Sequence, residues 1–287
     1  MATVRPFAAY RPPSELSEKV AAPPYDVINS LEARELAEDN PVSFLHITKP
    51  EIDLPVDADP YSDEVYARAR ENMAQFLEKG IFRADGEACF YLYRQSMSLS
   101  TGVHSQTGIV GLVSADEYES NVIRKHELTR PQKENDRVRH MDAVQAQTGP
   151  VFLTYRLDKA LADLMASLCD AEPDVDFSSD GVEHQLWVII DPDVIEKIST
   201  QFSHIPTLFV ADGHHRSAAA VRYRDKRRNE NPAHTGDEAY NAFMAVLFPH
   251  NQLNILGYHR VIRDLGGLDA QGFLDACLLY TSPSPRD

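Results

Sequence analysis

Asp212-Gly213-His214-His215-Arg216 puts a carboxylate, a glycine and three basic side chains on five consecutive residues. The apolar run Leu208-Phe209-Val210-Ala211 precedes it and the alanine-rich Ser217-Ala218-Ala219-Ala220 follows. Strand, tight turn and helix start is a layout that leaves unpaired backbone N–H groups aimed at one spot. Gly213 lets a ligand approach the backbone closely, and the planar fork of Arg216 suits phosphate oxygens. Asp212 is suited to hold Mg²⁺, which takes one or two carboxylates plus substrate phosphates, or to orient a hydroxyl. Phosphate chemistry is therefore the first expectation. The other reading is a self-satisfied strand–helix turn whose histidines cap and pack.

A second cluster runs from Arg124-Lys125-His126-Glu127 to Arg137. A charge run of this kind is ordinarily a solvated face, yet a His-Glu pair in a loop is also what general-base catalysis on an alcohol needs. A third, Pro23-Pro24-Tyr25-Asp26, is either a rigid turn or the lining of a pocket. The sequence holds no H-E-x-x-H, C-x-x-C, G-x-S-x-G, Walker A or G-x-G-x-x-G pattern.

The elements that must position these residues follow from periodicity and turn chemistry. Prolines at 6, 12, 13, 23 and 24 predict an extended, non-helical opening. Asn29 with Glu32 predicts a capped helix through Glu38. Ser43–Ile47 reads as a strand and 51–60 as an acidic loop. Asp63–Lys79 reads as a helix stopped by Gly80. Cys89–Tyr93 and Gly108–Val113 predict a hairpin. Strands are expected at Pro150–Tyr155, Gln185–Ile190, Thr207–Val210 and Phe243–Phe248, with helices at Asp158–Cys169 and Pro192–Phe202. Alternating strands and helices make the expected class α+β, that is mixed α/β.

Of the 287 residues, 43% are hydrophobic and 25% charged, as in an ordinary globular chain. The formal net charge of −16 disfavours nucleic acid, whose backbone such a surface repels. The basic cluster Arg222–Arg228 reads as a solvated helix end suited to the helix dipole. No stretch is apolar enough to suggest a membrane partner, and Cys89, Cys169 and Cys277 have no paired spacing. A cytoplasmic location fits best. Cys277–Asp287 reads as the in-frame translation of a sequencing-library transposon adapter, so the expectation is a non-native tail and a truncated C-terminal part.

Taken together, Ala22–Val27, Arg124–Glu127 and Ala211–Arg216 resemble the prokaryotic family catalogued as domain of unknown function 1015. A more distant resemblance is to the ParB/sulfiredoxin fold: His-Glu, a helix, Gly149–Leu153, then Val210–Arg216. That likeness implies an N-terminal α/β region at 1–115 and a core at 116–276, with an insertion at about 158–202. Sulfiredoxins place their reactive cysteine where this chain has His214. Partitioning proteins of the fold bind DNA through a following helix-turn-helix domain, for which no counterpart is seen here. Its free-serine kinases pair a His-Glu general base with an Asp-Gly-x-His-Arg turn, matched here by Glu127 and by Asp212, Gly213, His215 and Arg216. Lys125 stands where the fold carries a proline.

The resemblance to the kinases implies a phosphotransferase acting on a small hydroxyl compound, or a phosphatase of related chemistry. Glu127 would take the proton, while Gly213, His214, His215, Arg216 and His126 would hold the phosphates of ATP, ADP or CTP. Mg²⁺ would sit at Asp212, and Tyr25, Asp26 and Lys125 would line the pocket. The alternative is a non-catalytic, nucleotide-binding regulatory protein of the CTP-switch type. A partner-binding structural module is the third possibility, expected if the 212–216 turn is buried and already satisfied.

Overall fold

The structure, a computed structural model, describes residues 1–255, 257 and 261–278. It divides into two compact units, Met1–Leu253 and Asn254–Asp287. Within the second, α10 (Ala270–Leu278) is the described helix. Positions 279–287 of the adapter-like tail lie outside the described residues.

The first unit is built on a mixed sheet. In chain order its elements begin β1 (Val4–Arg5), β2 (Tyr10–Arg11), α1 (Ser14–Val20), α2 (Ser30–Ala37), α3 (Leu45–Thr48), α4 (Asp63–Glu78) and β3 (Arg83–Ala84). Next come β4 (Phe90–Leu99), β5 (Gly102–Ser114), α5 (Ala115–Glu119), β6 (Ile123–Arg124), α6 (Pro131–Val144) and β7 (Val151–Tyr155). The unit ends with α7 (Lys159–Leu168), β8 (Val175–Ser179), β9 (Val182–Ile189), α8 (Pro192–His204), β10 (Leu208–Asp212), α9 (His214–Glu230) and β11 (Ala242–Pro249).

Strand order is β6-β10-β7-β11-β5-β4-β9-β8, with β1 pairing β5 beyond the end of β4. The pairs β6–β10 and β7–β11 are parallel and the other ladders antiparallel. The sheet runs across position 115/116, and the 158–202 stretch supplies β8 and β9. Side chains alternate between the two faces. Phe90, Leu92, Ile109, Val113, Leu153, Phe243 and Leu247 share one buried core with Leu161 of α7, and with Ile198 and Phe202 of α8. A separate cluster, including Val20, Ile47, Met73, Phe76 and Phe82, knits α1, α3 and α4 together.

Several expected elements form where the residues dictate. Asn29 caps α2 in a full capping box with Glu32, and Gly80 follows α4 at φ +67°. The hairpin forms but is longer than expected, because polar residues 94–107 continue the ladder past the apolar core. Two expectations are corrected. Ser43–Ile47 is not a strand: Ser43 Oγ accepts from Leu45 N–H at 3.3 Å and the chain turns into α3. A five-residue apolar run does not distinguish the two periods, and the alternate burial of Leu45 and Ile47 would suit a strand. The N–H groups of Thr48 and Lys49, however, donate to Phe44 O and Leu45 O at 3.0 and 2.8 Å and close a helical turn. The proline-rich opening does contain a helix, α1, which starts just after Pro13 as its N-cap, where a missing N–H breaks no helical bond.

Candidate functional site

β10 ends at Asp212, and Gly213 follows at φ +91° and ψ 29° as the N-cap of α9, with no side-chain cap. A Cβ there would meet Val151 Cα at 3.3 Å, so glycine is required by both dihedral and space. The first backbone N–H donors of α9 are thus left uncapped at the sheet edge.

α6 starts beside the same turn. Pro131 is its first residue and Arg130 its N-cap, and the Arg130 N–H donates to His215 Nε2 at 3.2 Å. Arg222 of α9 then bonds Glu134 and Asn135, and Lys226 bonds Asp142. Contacts in the same order along both helices mean that α6 and α9 run parallel. Their positive ends converge.

His214 is buried, and the His126 N–H approaches its Nε2 at 3.5 Å. An accepting Nε2 puts the ring proton on Nδ1, which faces Glu127 Oε2 at 3.6 Å. The His126 ring stands edge-on to it, centroids 4.5 Å apart. Burial first, and then the neighbouring His126, hold the His214 pKa below its ordinary value, while Glu127 and Asp212 pull the other way. Both carboxylates therefore act on one imidazole, and both are exposed on the solvent side of it, Glu127 at 58% and Asp212 at 66%.

Arg216 differs from expectation. Its fork donates to Pro150 O at 2.9 Å and to both Asp26 oxygens at 3.1 and 3.2 Å, and it approaches Asp212 at 3.5 Å. Its Nε is buried without a partner. The guanidinium thus pins the Pro24-Tyr25-Asp26 loop to the glycine turn, and its two terminal nitrogens are engaged by protein. Tyr25 lies between two arginines, Arg137 at 3.8 Å and Arg216 at 5.7 Å from its ring centre, over a small cavity of about 40 Å³. Lys125 points elsewhere, its ammonium 4.1 Å from the Tyr118 ring centre.

Three sequence-distant motifs therefore meet: 24–26 through Arg216, 126–130 through His214 and His215, and 212–216 itself. Arg130 and Arg137 belong to the charged run 124–137 and Pro150 opens an expected strand, but nothing in the spacing assigns any of the three a place in the site. Pro131 carried a usable signal, since proline favours the first helical position and so marks a second helix N-terminus at the site. The basic cluster on α9 is not simply solvated either. Arg224 is 1% exposed and bonds Asp116, Glu119 and Asp225.

Among the described residues, no three His, Cys, Asp or Glu side chains stand together as a metal-binding cluster. None of their helices is long and apolar enough to cross a membrane. A family model described as "Protein of unknown function (DUF1015)" matches residues 4–281. No curated protein and no solved structure matches the chain.

Proposed function

The chain belongs to the DUF1015 family, and we propose that it is a small-metabolite phosphotransferase, of the free-serine-kinase kind, built on a ParB/sulfiredoxin-like core. The observation that carries this reading is the meeting of a His-oriented glutamate with two parallel helix N-termini. The order His126-Glu127, α6, β7, β10, glycine turn and α9 supports the core assignment.

Glu127 is the general base. His214 Nδ1–H faces one of its oxygens, and most of the carboxylate is open to a substrate hydroxyl. The hydroxyl oxygen bonds to the transferred phosphorus as the bond to the leaving nucleotide breaks, and the hydroxyl proton passes to Glu127. Phosphate oxygens are met by the free N–H groups of α9 beside Gly213 and by His215 Nδ1, because His215 Nε2 already accepts from Arg130. His126 adds a further donor at the rim. Arg216 is a positioning residue that holds Asp26 and Tyr25. A Mg²⁺ ion would be held by Asp212, the exposed carboxylate at the end of β10, together with the phosphates. When bound, it would neutralise phosphate charge.

The test incubates the full chain with Mg²⁺, ATP, ADP or CTP, and free amino acids including serine, and reads phosphorylated product by ³¹P NMR. Glu127→Gln should lower the rate by about 10²–10⁴-fold, and Asp212→Asn should raise the Mg²⁺ requirement. Turnover that survives both substitutions removes this mechanism. The engaged fork of Arg216 is what a partner-binding structural module would show, and the second reading kept beside the phosphotransferase is nucleotide binding without transfer. A nucleotide-dependent rise in Tm with no product supports that second reading, and a flat Tm with every nucleotide and no product rejects both.

A further inference from the structure

On the sheet face opposite the main core, Tyr93, Leu112, Val175, Phe177, His184, Leu186 and Met244 stand in cross-strand register. Together with Val20 of α1, Met73 of α4 and Phe82, they line a cavity of about 720 Å³ that is partly open to solvent. Glu127, Asp212, His214 and His215 do not line it. Because the cavity is partly open, without a ligand water lies against a wall that is mostly apolar.

Water needs two to four polar partners at each position, and this lining supplies few. Gln147 is committed to Ala242 O and Met244 N–H, and Gln185 to Asp176. The cations at the wall are paired, Arg11 with Asp85 and Arg227 with Glu230. Gln145, Thr148 and Tyr223 add polar groups to the wall, and a further polar pair lies among the aromatic rings. His184 is sandwiched between Phe177 and Tyr93, and its Nδ1 lies 2.6 Å from the Tyr93 hydroxyl. Its Nε2 has no protein partner among the described residues. Burial holds His184 below its ordinary pKa and pushes Tyr93 up to about 12, so both are neutral at pH 7. The volume falls within the ordinary range for drug-sized ligands.

We propose that this cavity binds a neutral, largely apolar small molecule whose single hydroxyl or carbonyl group meets the Tyr93–His184 pair. It is a different site from the phosphate turn and stands independently of the phosphotransferase reading.

The test titrates the full chain with the neutral fluorophore N-phenyl-1-naphthylamine and displaces it with 1-dodecanol or with dodecanoate at pH 8. Saturable fluorescence enhancement is expected, with displacement by the alcohol and not by the carboxylate. Leu112→Trp, which fills the cavity from β5, should weaken the fluorophore roughly tenfold. His184→Phe should weaken 1-dodecanol roughly fivefold through the lost hydrogen bond. Glu127→Gln should change neither. Should Leu112→Trp not fold by near-ultraviolet circular dichroism, Leu186→Trp on β9 is read in its place. Absence of saturable binding, or binding indifferent to a folded filling variant, overturns the proposal. Equal displacement by dodecanoate overturns the neutral ligand class.

Discussion

His214 and Arg216 sit two residues apart on one turn and do opposite things. His214 turns inward and presents Nδ1–H to Glu127, whereas Arg216 reaches across to Pro150 and Asp26. The sequence displayed both as basic groups beside a glycine. Which became an orienting group and which a clamp depends on side-chain direction at the first turn of α9, and no spacing encodes that. The clamp has a measurable consequence. A lysine cannot reach Pro150 O and both Asp26 oxygens together, because it lacks the planar fork. Arg216→Lys should lower stability to urea by about 1–3 kcal/mol. Asp26→Asn should act in the same direction, with a double variant well short of additive. Full stability in Arg216→Lys would show that Arg216 does not clamp the loop.

At the scale of elements, the pieces written in local sequence came out clearly. The α2 capping box, the stop of α4 at Gly80 and the apolar β7 and β11 each follow from residues within a turn or two of themselves. The pairing of α6 with α9 did not, because acids on one helix face bases on the other only after the chain has folded. Arg224 shows the cost of that blindness. It reads as a surface cation, yet it is fully covered, with carboxylates of α5 and its own helix around it. Those carboxylates are at least half exposed, at 50–66%, so they can rehydrate if the arginine is removed. Arg224→Met, which keeps most of the volume, should therefore stay within about 1 kcal/mol of the parent protein, whereas Arg224→Ala should cost roughly 2–4 kcal/mol through the cavity it leaves. Chemical denaturation of the two variants separates packing from charge. Equal losses would mean that the ion pairs carry the stability.

For the whole molecule, the mixed α/β class was legible, but the order β6-β10-β7-β11-β5-β4-β9-β8 was not, since neighbours such as β11 and β5 are joined only by long-range pairing. A fully buried hydrogen bond joins two of the helices, His140 of α6 donating from Nε2 to Ile47 O of α3 at 2.8 Å. Burial, reinforced by Arg137, pushes the His140 pKa down from its ordinary 6.5 to about 4. Between those two values the unfolded chain holds a proton that the folded chain does not, so stability falls on acidification. The gap is worth about 3 kcal/mol at neutral pH, and it is fully present above pH 6.5 and lost as pH falls toward 4. His214 and His184, both held low by burial, act in the same direction. His46 opposes them, because its hydrogen bond to Asp53 raises its pKa and its contribution is present only at the acid end. The net expectation is a Tm that drops steadily from pH 7 to pH 4. His140→Gln keeps an N–H donor for Ile47 without a titrating ring, so it should start less stable at pH 7 and lose less on acidification. Parallel pH profiles for the variant and the parent would place the acid sensitivity elsewhere in the fold.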